Sequence, residues 1–144
     1  MEKLKIAIGC DHGGYNLKNK VIDYLKARGI EYKDYGIYTL ESSDYPEVAK
    51  TVAKEVSAQN FDRGILICGT GLGMSIAANK VKGIRAVTIG DTYSARVSRA
   101  HNNANVLCIG ERVIGEHLAL DIVDMWLKTG FEGGRHKRRL DMIE

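Results

Sequence analysis

Along this chain, short runs of apolar and β-branched residues alternate with longer stretches in which apolar positions recur at helical spacing. The short runs are, approximately, Lys5 to Gly9, Glu31 to Tyr35, Gly64 to Ile67, Ile84 to Ile89 and Val106 to Ile109. Between them, Leu17, Val21, Ile22 and Leu25 define one helical stripe closed by Gly29. Val48, Val52, Ala53 and Val56 define a second, whose start Asp44 and Pro46 mark. Met74 to Lys80, Thr92 to Ala100 and Glu116 to Lys128 read as further helices, the last with Leu118, Ile122, Met125 and Trp126 as its apolar side. Five strands alternating with helices predict an α/β domain: a parallel sheet covered on both faces.

Ligands of such a sheet bind beyond the carboxyl ends of its strands, so the loops there carry the candidate chemistry. They are Cys10-Asp-His-Gly-Gly14, Cys68 to Gly73, Gly90-Asp91-Thr92 and Gly110-Glu-Arg112. Cys108 falls inside an apolar strand and is expected in the core.

Cys68 stands where the third strand ends, followed at once by Gly69, Gly71 and Gly73 and then by helix formers. Glycine permits close approach and positive φ, and the amides that open a helix are unpaired donors. Such a loop can hold an anion or a developing oxyanion. The same field stabilises a thiolate, so a nucleophile or base at Cys68 would sit beside its own oxyanion site. The alternative is a tight strand-to-helix turn over a core cysteine. Nucleotide fingerprints do not fit: a dinucleotide loop beginning at Gly69 needs glycine where the chain has Met74, and no Gly-Lys-Ser/Thr ending is present.

A chain of 144 residues, 44% hydrophobic and with a single proline, predicts one domain over 1–144. Its net charge of +3 is too small to argue for nucleic acid. The cationic excess is concentrated in Arg135-His-Lys-Arg-Arg139, which reads as either a solvated tail or a site for a local anion. No apolar run reaches membrane-spanning length, and Met1-Glu-Lys-Leu-Lys leads into a strand without a signal core, so a cytoplasmic protein with no membrane partner is expected. Three irregularly spaced cysteines form neither a disulfide framework nor a zinc site. No His, Cys, Asp and Glu cluster has ligand spacing, so neither metal nor cofactor is expected.

Asp11 and His12 precede Gly13-Gly14 at the start of a helix, where both could reach a polyol or phosphate, or Asp11 could simply cap the helix. His101, at a helix end before Asn102, is either structural or a proton carrier near neutrality. Arg135 and Arg139, four apart in a short terminal helix over 131–144, would present paired guanidiniums to phosphate. Gly133 and Gly134 would let that tail turn toward a pocket, including one on a neighbouring subunit.

Taken together, Gly9-Cys-Asp-His-Gly-Gly14, Asp44-Tyr-Pro46, Cys68-Gly-Thr-Gly-Leu-Gly73, Ala77-Ala-Asn-Lys80, His101-Asn102 and Gly133-Gly-Arg-His136 resemble the type B ribose-5-phosphate isomerase family, which includes galactose-6-phosphate isomerase subunits. The order and spacing match over essentially the whole chain. The resemblance implies a Rossmann-like three-layer α/β/α sandwich with a five-stranded parallel sheet. It also implies a metal-independent aldose–ketose isomerase of the non-oxidative pentose phosphate branch, with sites shared across a homodimer; pairing of dimers into tetramers stays open. By that resemblance Cys68 is the base, His101 opens the sugar ring and the Thr70 hydroxyl supports the thiolate. Asp11 and His12 form the first substrate loop. Gly69, Thr70, Gly71, Leu72 and Gly73 form the anion hole, and Asn102, Arg112, Arg135 and Arg139 the remaining substrate contacts. A branch of the family replaces the cysteine by a glutamate where this chain has Met74. Two rivals are a six-carbon sugar phosphate substrate and a non-catalytic nucleotide-binding module.

Overall fold

The computed structural model describes residues 3–144; Met1 and Glu2, which open the N-terminal run, lie outside the described residues. The strands are β1 (Lys5–Cys10), β2 (Glu31–Asp34), β3 (Arg63–Cys68), β4 (Ala86–Thr88) and β5 (Val106–Gly110). The helices are α1 (Tyr15–Ala27), α2 (Tyr45–Ser57), α3 (Leu72–Ala78), α4 (Thr92–Ala100), α5 (Glu116–Lys128) and α6 (Arg135–Ile143), with a 3₁₀ turn at His12–Gly14. All strand pairs are parallel, in the order β2-β1-β3-β5-β4. The result is the expected Rossmann-like three-layer α/β/α sandwich.

Strand periodicity divides the core into two layers. Ile6, Ile8, Cys10, Ile65, Ile67, Leu107 and Ile109 face α1, α5 and Ala95 of α4, while Ala7, Leu66, Cys68, Val106 and Cys108 face α2 and α3. Both faces are covered, which is why these strands read as continuous apolar runs. Each fully buried aliphatic side chain contributes about 1.5–3 kcal/mol.

Among the departures from expectation are the limits of two elements and the buried faces of two helices. Strand β4 covers three residues, because the Asn105 carboxamide takes the Arg85 N–H and Asn79 takes the Ala86 N–H before the ladder begins. Helix α3 begins at Leu72, directly after Gly71 turns the chain at φ +84°, and ends at Ala78. The buried side of α5 is Ala119, Ile122, Val123, Trp126 and Leu127; Leu118 is exposed and Met125 half-buried. The stripe starts one position later than the large residues suggest, because small Ala119 faces the core. On α2, Ala49 is buried and Val48 only partly so.

The carboxyl end of α5 is held by arginines. Arg63 Nη1 donates to the Trp126 carbonyl (2.7 Å), and Arg99 donates through Nε to Thr129 (3.1 Å) and through Nη1 to Ala104 (2.6 Å). Cations at a helix carboxyl end are favoured by its dipole, and both guanidiniums also lie over the Trp126 ring. Burial, with Arg63 and Arg85 nearby, pulls Arg99 down to about 10. Arg99→Met should leave the buried Ala104 carbonyl without its donor and cost about 1–3 kcal/mol. A urea unfolding midpoint equal to that of the parent would refute this clamp.

Candidate active site

Strand order reverses between β1 and β3, and a doubly wound sheet opens its ligand crevice at such a switch point. The two loops leaving these strands are in backbone contact. Asp11 N–H donates to the Ile67 carbonyl (3.2 Å), and a methyl group on Gly13 would stand 3.0 Å from Gly69 N. Asp11 is buried, and its Oδ1 accepts from Gly13 N–H (2.9 Å), so it caps the turn that opens α1. His12 Nδ1 accepts from Ser43 N–H (3.2 Å), which fixes the ring on the rim. From the β5 side, Glu111 and Arg112 N–H groups donate to the Cys68 and Gly69 carbonyls (2.9 and 3.0 Å). The Arg112 side chain lies over Gly69, where a methyl would be 3.2 Å from Nη1.

Within the loop, buried Cys68 Sγ accepts a hydrogen bond from Gly71 N–H at 3.0 Å. Leu72 N–H donates to Thr70 Oγ1 (3.2 Å). The sulfur is thus held by a backbone amide, and the Thr70 hydroxyl serves the start of α3. Of the amides from Gly69 to Gly73, those of Gly71 and Leu72 are committed; among the described residues, Gly69, Thr70 and Gly73 N–H have no internal acceptor. The Leu72 side chain is exposed and Met74 is fully buried. The other cysteines have different surroundings. Burial pushes the Cys10 thiol up to about 11, with Lys18 opposing, and burial pushes Cys108 far above the usual thiol range.

His101 lies elsewhere. It closes α4, whose nine residues run back from the rim over about 13 Å. In the sheet, Cys68 pairs with Gly110 while Gly64 pairs with Val106, four strand positions or about 13 Å away. His101 precedes that end, so one chain does not bring it to its own Cys68. At this far end it stacks on buried His136, ring centroids 4.2 Å apart and planes within 8°. Glu132 Oε1 stands 3.9 Å from His101 Nε2 and 3.6 Å from His136 Nε2. Asn102, Arg135 and Arg139 are exposed beside them. Helix α6 begins at Arg135, after Gly133 (φ +72°) and Gly134 (φ +57°) turn the chain; residues 131–134 are not helical.

The donor atoms of His101, Glu132 and His136 lie within 4.8 Å of one another. An imidazole binds a metal in its own ring plane, and two stacked, nearly parallel planes share no such point. The trio as arranged is not a metal site.

Sequence reasoning gave no role to several residues that shape the rim. Ser43 holds His12, Glu111 Oε1 caps α1 through Leu17 N–H (2.6 Å), and the Tyr45 ring packs on Gly73, where a methyl would be 2.6 Å away. Tyr45 lay within the Asp44-Tyr-Pro46 motif, there read as a helix start. Nothing local distinguishes Ser43 or Glu111. His136 likewise stood in the Gly133-Gly-Arg-His136 motif without a role.

A switch-point crevice lined by a thiol, amides without internal acceptors and a cationic side chain is the kind of site an α/β enzyme carries. The chain belongs to the Ribose/Galactose Isomerase family, whose model matches residues 6–143, and it is an isomerase. It is 52% identical to ribose-5-phosphate isomerase B of Escherichia coli (strain K12), over 96% of this chain and 93% of that protein. It is 48% identical to a D-erythrulose-4-phosphate isomerase of Pectobacterium atrosepticum, over 97% and 93%. The solved ribose-5-phosphate isomerase B of Clostridium thermocellum superposes with a TM-score of 0.96 at 58% identity, covering 97% of this chain and 95% of that one.

Gly110 supports the loop from below: a methyl there would lie 2.6 Å from Thr70 Cα, against backbone that cannot rotate away. Gly110→Ala should therefore lower turnover by about a hundredfold through misplacement of the loop. Gly130→Ala, with open space at that position, should not lower it. Equal turnover in the two variants would remove Gly110 from the site's support.

Proposed function

We propose that this isomerase interconverts ribose 5-phosphate and ribulose 5-phosphate through a cis-enediolate, with Cys68 as the base. The observation that carries the reading is the Cys68 sulfur held by Gly71 N–H at 3.0 Å, next to unpaired amides of Gly69, Thr70 and Gly73. An amide donor on sulfur favours negative charge there. The thiolate takes the proton from carbon 2 of the open-chain aldose, and the resulting thiol returns one to carbon 1, while the carbon-2 hydroxyl proton passes to the carbon-1 oxygen. The free amides stabilise the oxygen charge that develops between these steps. Proton transfer of this kind calls for no metal or cofactor. Asp11, His12 and Arg112 border the same crevice and hold the sugar phosphate.

In this reading each site is built from both chains of a homodimer that works in the cytoplasm. His101, Asn102, Arg135 and Arg139 sit at the far end of their own sheet, so the partner subunit supplies them. His101 opens the furanose ring and the paired guanidiniums bind phosphate. Leu72, Ile76 and Tyr93, 57%, 66% and 66% exposed around the rim, give an apolar face for the partner. The 48% identity to a D-erythrulose-4-phosphate isomerase favours a second substrate reading, a four-carbon sugar phosphate. A panel of four-, five- and six-carbon aldose and ketose phosphates, compared by kcat/KM, decides between them.

Cys68→Ala should reduce turnover by at least about a thousandfold while phosphate affinity persists, because the arginines are separate from the base. Cys10→Ala and Cys108→Ala should stay active. Near-normal turnover in the Cys68 variant would end the assignment of the base.

Mixing Cys68→Ala with His101→Ala protomers tests the shared site. A hybrid dimer carries one intact and one doubly altered site, so its activity should rise to about half of the wild-type value by two-fold symmetry. A verified heterodimer without recovered activity contradicts the arrangement.

A further inference from the structure

We propose that His136 and Glu132 are positioning residues for His101, the stacked His136 ring setting its plane and the Glu132 carboxylate bridging the Nε2 edges of both imidazoles. This rests on the reading that His101 opens the sugar ring. His101 is half-buried at a helix end with a single backbone tether from its N–H to Val97, which leaves its side chain few local restraints. The restraint comes from outside α4. His136 presents a parallel ring at 4.2 Å, and Glu132 stands 3.9 and 3.6 Å from the two Nε2 atoms.

Each partner is itself fixed by neighbouring backbone and side chains. Glu132 N–H donates to the Ala100 carbonyl (3.0 Å), which ties the loop before α6 to the residue preceding His101. Arg99, two residues before His101 on α4, holds the Thr129 carbonyl at the start of that loop. His136 is buried and its N–H bonds to the Gly133 carbonyl (3.1 Å). Burial, the adjacent His101 and Arg135 hold the His136 imidazole below its ordinary value; Arg139 adds to this and Glu132 opposes it. Two imidazolium rings stacked at this separation repel each other. His136 serves as the flat face against which the His101 ring stacks, with the Glu132 carboxylate at the Nε2 edge of both rings. The sequence motif places His136 next to Arg135, so the same helix turn that orients the phosphate-binding arginine also orients the ring-opening histidine.

The test uses the intact homodimer and two readouts. Net conversion of ribose 5-phosphate needs the ring step. Deuterium uptake at carbon 1 of ribulose 5-phosphate in D2O reports only the Cys68 proton transfers. His101→Ala should lower net conversion about a hundredfold and change deuterium uptake by less than about threefold. His136→Ala should show the same split at about tenfold, His136→Phe should recover most of the loss by restoring a flat ring, and exposed Glu132→Gln should lower net conversion severalfold with unchanged KM. If His101→Ala gives the split while His136→Ala and Glu132→Gln do not, or if His136→Phe is no better than His136→Ala, the positioning role falls and the ring-opening reading stands. If His101→Ala loses both readouts equally, the ring-opening reading falls and this inference with it.

Discussion

The first turn of α1 lies directly on the end of β3. A methyl group on Gly14 would stand 2.3 Å from the Ile67 carbonyl oxygen, closer than any real contact, so only glycine lets these two backbones meet. Everything on the rim depends on that approach. It brings the Asp11 cap and the His12 ring beside Cys68, and it sets Gly13 against Gly69 so that the two loops share one crevice. A side chain at either glycine would force the loops apart and leave a thiol without neighbours.

A second constraint is the parallel sheet itself. Each crossover helix carries the chain back to the amino ends of the strands, so α4 removes His101 from the rim that β4 has just reached. The far end is then organised by its own hardware: Arg63 and Arg99 on the carboxyl end of α5, the Glu132 amide on Ala100, and the two glycines that turn the chain into α6. A single chain therefore holds Cys68 at one end of its sheet and His101, with Arg135 and Arg139, at the other. In the homodimer proposed above, one isologous contact would juxtapose each end with the opposite end of the partner.

How much of this is legible in the sequence depends on whether a residue's role is local. The strand and helix order, Cys68 at a strand end and Cys108 in the core follow from periodicity alone, because burial on both faces leaves continuous apolar runs. The apolar side of α5 does not, since large residues attract attention and the stripe turns on Ala119. Strand β4 was overextended because its limits are set by Asn79 and Asn105 side chains arriving from other segments. Within the candidate site, Asp11 and the glycine loop are readable from spacing. Ser43 on His12, Glu111 on Leu17 and the His101–His136 stack are contacts across 31, 94 and 35 positions of chain, and no local pattern encodes them.

The loop after β3 also rations its amides. Of the five consecutive N–H groups from Gly69 to Gly73, one goes to sulfur and one to the Thr70 hydroxyl. The first holds the sulfur and the second fixes the start of α3, which leaves the Gly69, Thr70 and Gly73 N–H groups without an internal acceptor among the described residues. Gly71 N–H donates to the sulfur three positions earlier, and its φ of +84° then turns the chain into α3. The three cysteines show what this achieves. Cys10 and Cys108 lie on the same sheet at comparable depth, yet burial drives both thiols upward, while Cys68 alone is given an amide donor. What separates Cys68 from the other two thiols is thus where one peptide N–H points, and the glycine at position 71 carries both that N–H and the turn into α3.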